Sequence, residues 1–114
     1  MTGLPDKHLE KLINVLRQFQ NVEKAAFFGS RAKGNAERGS DVDIALYGPE
    51  VTRKDVWKIH DQLEEGTTLP YFFDVLHYET LNDEDVKAHI DRVALYFYDR
   101  SNFTPLPRIK PLLY

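Results

Sequence analysis

The chain has no cysteine, which excludes disulfides and thiolate metal sites and suits a reducing compartment. No apolar run approaches the roughly 20 residues that span a bilayer. The opening MTGLPDKHLE lacks the pattern of a secretory leader, so the expected location is the cytoplasm. A basic surplus is missing too. The net charge of -3 over 114 residues argues against a nucleic-acid binder held by bulk electrostatics, so any phosphate must be bound locally. What remains, 42% hydrophobic and 29% charged residues, is an ordinary globular composition with enough chain for one modest core. It leaves no room for a second substrate-binding domain. There is no internal repeat and no low-complexity tract.

Leu9, Leu12, Ile13, Leu16 and Phe19 recur on one helical face after Pro5 and Asp6, which predicts a sheet-packed helix from about Asp6 to Gln18. KAAFFGS, Lys24 to Ser30, reads as a buried strand closed by a tight turn, and DVDIALYG, Asp41 to Gly48, as a second strand. Thr52 and Asp55 form a capping-box pattern ahead of Val56, Ile59 and Leu63, predicting a helix to Glu65 that Gly66 ends. YFFDVLHY, Tyr71 to Tyr78, is a third strand, and Asn82 opens another helix with Val86 and Ile90 on its apolar face. Val93 to Tyr98 suits either a continued helix or a fourth strand. From residue 101 to 114 the chain carries Pro105, Pro107 and Pro111 among Phe103, Leu106, Ile109 and Leu112. The chain therefore divides into a folded domain, 1–100, and an apolar, proline-rich tail, 101–114, that needs a surface to cover.

The chemistry concentrates in GSRAKGNAERGSDVDIAL, Gly29 to Leu46. Along a strand, Asp41 and Asp43 project from one face about 7 Å apart, with Val42 and Ile44 on the other. Two carboxylates so placed repel each other, and a hard divalent cation relieves the repulsion; Mg²⁺ fits this donor set best. Asp74 stands inside the apolar run YFFDVL. On a neighbouring strand it completes a three-carboxylate cluster suited to two metals about 4 Å apart, the arrangement for in-line phosphoryl or nucleotidyl displacement. Gly29 lets the backbone approach a ligand, Ser30 adds a hydroxyl donor, and Arg31, Lys33 and Arg38 offer local positive charge for a triphosphate.

Gly29-Ser30, ten intervening residues, Asp41-Val42-Asp43 and the later Asp74 together resemble the minimal nucleotidyltransferases of the DNA polymerase beta superfamily, over about residues 6–98. The resemblance implies an α+β fold, a small mixed sheet of about four strands with helices packed on it, and favours a strand at Val93 to Tyr98. It implies metal binding by Asp41, Asp43 and Asp74, with Asp74 as the base for an attacking hydroxyl, and a triphosphate at Gly29, Ser30 and Arg31. The cofactors implied are two Mg²⁺ ions, with Mn²⁺ as a substitute, and ATP as donor. The short form is also similar to the antitoxin of HEPN/MNT toxin–antitoxin pairs, which implies AMP transfer to a tyrosine of a HEPN-type helical partner within a hetero-oligomer. Two other readings stay open: a non-catalytic subunit that neutralises a partner by docking, and an aminoglycoside-type nucleotidyltransferase, for which the chain lacks an acceptor domain.

Taken singly, these residues have plainer explanations. A lone DxD pair often caps a turn, and Lys33 reads as a solvated loop residue. His8, His60, His77 and His89 lack metal-ligand spacing and are expected at the surface or in packing. Phe27, Phe28, Phe72, Phe73 and Trp57 are expected in the core.

Overall fold

The computed structural model describes residues 4–29 and 41–101. Ser30, Arg31, Lys33, Arg38 and the tail beyond Ser101 lie outside them. Helix α1, Asp6–Arg17, follows Pro5 and buries Leu12, Ile13, Val15 and Leu16. Strand β1, Lys24–Phe28, pairs antiparallel with β2, Val42–Tyr47, matching Phe28 to Asp43. Helix α2, Arg53–Glu65, begins with the predicted capping box: Thr52 Oγ1 accepts from the Asp55 amide and Asp55 Oδ2 accepts from the Thr52 amide, each at 3.0 Å. That helix is the crossover a parallel pair requires, and it returns the chain to β3, Phe73–His77, parallel to β2.

The third predicted strand is shorter than expected, because Tyr78–Thr80 turns into a 3₁₀ segment after His77. The following helix, α3, spans Glu84–Val93 and is capped one residue later than predicted. Asp83 performs the capping, its Oδ1 accepting from the amides of Asp85 and Val86 at 2.9 and 3.3 Å. At Ala94 the backbone leaves the helix with φ -57° and ψ 133°, and β4, Leu95–Asp99, follows as the resemblance favours. Among the described residues the sheet order is β3-β2-β1-β4, mixed and four-stranded. Between Ala25 and Ala26 the register against β4 shifts from Tyr98 to Tyr96. The bulge leaves Phe97 unopposed, and its ring stacks on Phe27 at 4.1 Å between centroids.

One sheet face, with α1 and α2, builds the core: Leu12, Leu16, Phe27, Ile44, Leu46, Ile59 and Leu63 are all sequestered from water. Ala26 and Ala45, partners in the β1–β2 ladder, are buried outside that cluster, as is Ile90 of α3. Three aromatics expected in the core are not there: Phe28 is half-buried and stands opposite Asp43 on the other face of the sheet. Phe72 is 68% exposed and Trp57 65%. Phe73 enters the core, and side chains alternate along an extended chain, so Phe72 must face away from it. Trp57 lies two residues, more than half a turn, from the inward-facing Ile59.

At the C-terminal ends of β2 and β3 a polar clasp joins the parallel pair. The Gly48 amide donates to both Glu79 carboxylate oxygens at 3.0 and 3.1 Å, and His77 Nε2–H donates to the Gly48 carbonyl at 2.7 Å. Gly48 has φ 151°, and a Cβ there would overlap the Asn21 carbonyl oxygen. Gly48→Ala therefore combines backbone strain with a clash, and is expected to destabilise by more than about 2 kcal/mol. Removing the α2 cap with Thr52→Ala costs about 1 kcal/mol. Urea unfolding of both variants checks the order.

Candidate active site

The register that builds the core also fixes the carboxylates. Val42 and Ile44 point into the core, so Asp43 between them faces the other side of the sheet. In the parallel ladder Asp43 stands opposite Asp74, and Val42 opposite Phe73. The Val42 amide donates to the Phe72 carbonyl at 2.8 Å, so the ladder is closed immediately beside the acidic pair. Asp74 is exposed and Asp43 half-buried, consistent with a site open to a ligand.

The fold pushes the Asp43 carboxyl up to about 6. Burial is the largest cause, followed by a hydrogen bond shared with the Asp74 carboxyl, then the charge of Asp74 and the charge of Asp41. Every one of these causes raises it. Gly29, with φ 78°, leaves β1 directly against this group, and a Cβ there would overlap Asp43 Oδ2. Glycine at this position thus does more than allow a turn: it makes the space in which the Asp43 carboxylate sits.

Of the predicted site residues, Asp43, Asp74 and Gly29 come together. Asp41 is exposed at the residue before β2 and acts on Asp43 through its charge. Among the described residues no three histidine or acidic side chains converge as a ready metal-binding group. The donors nonetheless fit a divalent cation. They are hard oxygens on one sheet face, and a cation between them would offset the burial and mutual repulsion that raise the Asp43 carboxyl. The histidines have packing roles: His8 Nδ1 meets Tyr71 Oη at 2.7 Å, His60 pairs with Glu64, and His77 belongs to the Gly48 clasp. Sequence reasoning missed Glu64, whose Oε2 accepts from the Phe73 amide at 2.7 Å. A glutamate in the last turn of an amphipathic helix carries no signal that distinguishes it from a solvated surface residue.

The β2–β3 pair thus carries acidic residues at matching rungs and is joined by a helical crossover. The family described as Polymerase beta, Nucleotidyltransferase matches residues 10–103, and the chain belongs to it. Its fold is that of MNT proteins solved with HEPN toxins. The tri-AMPylated Shewanella oneidensis HEPN toxin in complex with its MNT antitoxin contains a chain with TM-score 0.64 and 15% identity, over 84% of this chain and 73% of that one. A toxin–antitoxin structure with AMP-PNP gives TM-score 0.66 and 18% identity, over 84% and 74%. A candidate nucleotidyltransferase from Sulfolobus solfataricus gives TM-score 0.53 and 24% identity, over 88% and 85%. No curated protein matches the sequence.

The raised Asp43 carboxyl has a sign that stability measurements can read. The folded state holds a proton that the unfolded chain releases near 3.8, so stability falls as pH rises from about 4 to about 6 and the cost is fully present above that. A rise from 3.8 to about 6 corresponds to about 3 kcal/mol, and solvent screening at this half-exposed group reduces that to about 1 kcal/mol. Without metal, Asp43→Asn is expected to flatten the decline and to be the more stable form at pH 8. Chemical denaturation across pH 4 to 8, in chelator, checks it.

Proposed function

We propose that this protein is a metal-dependent nucleotidyltransferase that moves AMP from ATP to a hydroxyl of a partner protein, a tyrosine of a HEPN-type helical toxin, and so acts as an antitoxin. The observation that carries the reading is the Asp43–Asp74 rung with Gly29 set against it, in a chain of the polymerase beta nucleotidyltransferase family. Support for the partner comes from the related folds, solved as toxin–antitoxin complexes, one of them with an AMPylated toxin.

In this reading Asp41, Asp43 and Asp74 hold two Mg²⁺ ions, or Mn²⁺ in their place, which supply charge stabilisation at the reacting phosphate and lower the pKa of the acceptor hydroxyl. Asp74, exposed at the edge of the sheet, receives the proton of that hydroxyl. The acceptor oxygen forms its bond to the α-phosphorus, the bond between the α-phosphorus and its bridging oxygen breaks, and pyrophosphate leaves. The amides after β1, the Ser30 hydroxyl and the Arg31 guanidinium bind the triphosphate. Residues 1–100 form the catalytic domain, residues 101–114 help hold the partner, and the pair works in the cytoplasm as a hetero-oligomer. Because the folded elements are used to build the donor half, the partner supplies its own acceptor surface, and correct placement of the two reactants contributes much of the rate.

The test is pyrophosphate release from ATP and Mg²⁺ with and without a copurifying protein, together with mass spectrometry of that protein. The expected result is an AMP adduct on a partner tyrosine, with Asp74→Asn slowing its formation by at least about a hundredfold while the fold is retained. Wild-type turnover in Asp74→Asn would remove the proposed base. Partner neutralisation with neither adduct nor pyrophosphate would identify a docking subunit instead.

A further inference from the structure

Among the described residues β3 lies at the edge of the sheet, held by the β2 ladder on one side. Its first residue, Phe73, precedes Asp74 and stands one rung before the Asp43–Asp74 pair. That rung carries mutual repulsion, and an edge strand is the element with the least to resist it. The Phe73 amide is not left to water. It donates at 2.7 Å to Glu64 Oε2, from the last turn of α2, a charge-assisted bond. His60, one turn earlier on the same helix, places Nε2 3.2 Å from the same oxygen. The neighbouring carbonyl, Phe72, accepts from Val42 in β2. The start of β3 is therefore held from both sides, by the sheet and by Glu64, immediately before the residue that must stay opposite Asp43.

From this geometry we infer that Glu64 is a positioning residue for the cation site: through the Phe73 amide it keeps Asp74 in register with Asp43, and His60 orients the carboxylate that does so. The inference rests on the nucleotidyltransferase reading for its consequence, the affinity for a divalent cation. Its structural half is independent of that reading. Glu64 touches neither Asp43 nor Asp74 in this account and takes no part in proton transfer.

Three full-length variants separate the possibilities. Glu64→Leu removes the acceptor, Glu64→Gln keeps an acceptor oxygen without the charge, and His60→Ala keeps the acceptor but frees its orientation. Mn²⁺ affinity, read by electron paramagnetic resonance without nucleotide, is expected to fall about tenfold in Glu64→Leu, as for loss of an outer-shell partner, and to recover in Glu64→Gln. In the metal-free protein, exchange of the Phe73 and Val42 amides is expected to quicken about tenfold in Glu64→Leu and to return toward wild type in Glu64→Gln. A folded Glu64→Leu with wild-type Mn²⁺ affinity, or with unchanged exchange at both amides, overturns the inference. If Glu64→Leu does not fold, His60→Ala is read in its place. It is expected to show weaker Mn²⁺ binding with Phe73 exchange faster than wild type, and wild-type values on either measure count against the inference. If the wild-type chain binds no Mn²⁺ while the exchange pattern is as expected, the cation reading fails and the role of Glu64 in holding Asp74 stands.

Discussion

The repulsion between Asp43 and Asp74 across one rung of the β2–β3 ladder is the constraint around which the sheet is arranged. Core formation does not ask for it. A polar pair at these positions would let Val42, Ile44 and Phe73 pack just as well, because the carboxylates occupy the alternate face. The fold instead accepts two acidic groups at close range, one partly removed from water, and pushes the Asp43 carboxyl up to about 6. Such an arrangement costs stability, and sites that bind ligands are where that kind of cost is expected.

Several features read as restraints on that pair. Parallel pairing of β2 with β3 places Asp43 and Asp74 side by side, and α2 provides the crossover that makes it possible. At the far end of the same two strands, His77 and Glu79 fasten the Gly48 turn through its carbonyl and amide. At the near end, Glu64 takes the Phe73 amide, and Gly29 gives the Asp43 carboxylate the space a side chain would fill. Thus two strands that must hold like charges together are tied at both ends by bonds outside their own ladder.

The sequence was most legible where local patterns carry the physics. The Thr52–Asp55 capping box, the apolar face of α1 and the strand carrying Asp43 all follow from spacing alone. The role of Gly29 was half legible: its position in a turn was plain, whereas its contact with Asp43 depends on which strands are neighbours. Burial of Phe28, Phe72 and Trp57 in the core was expected and did not occur, since adjacent residues in an extended chain, or residues half a turn apart on a helix, cannot enter the same core. Asp83 took the capping position expected of Asn82 because its oxygen reaches two amides of the first turn. Glu64 and the His77–Glu79 clasp were invisible, because Glu64 reaches a backbone amide nine residues on, the clasp reaches back to Gly48, and both use side chains that are common on surfaces. Ser30, Arg31 and the apolar tail lie outside the described residues, so their assignments rest on the family resemblance and on composition.

The proposed function requires Asp43 and Asp74 together to seat a divalent cation beside a nucleotide. A crystal structure grown with Mn²⁺ and a non-hydrolysable ATP analogue tests it most directly, with anomalous scattering locating the metal. The expected result is an anomalous peak between the two carboxylates, within coordination distance of their oxygens, with the triphosphate leading from the metal toward the turn at Gly29. A bound nucleotide with no metal on this rung would overturn it.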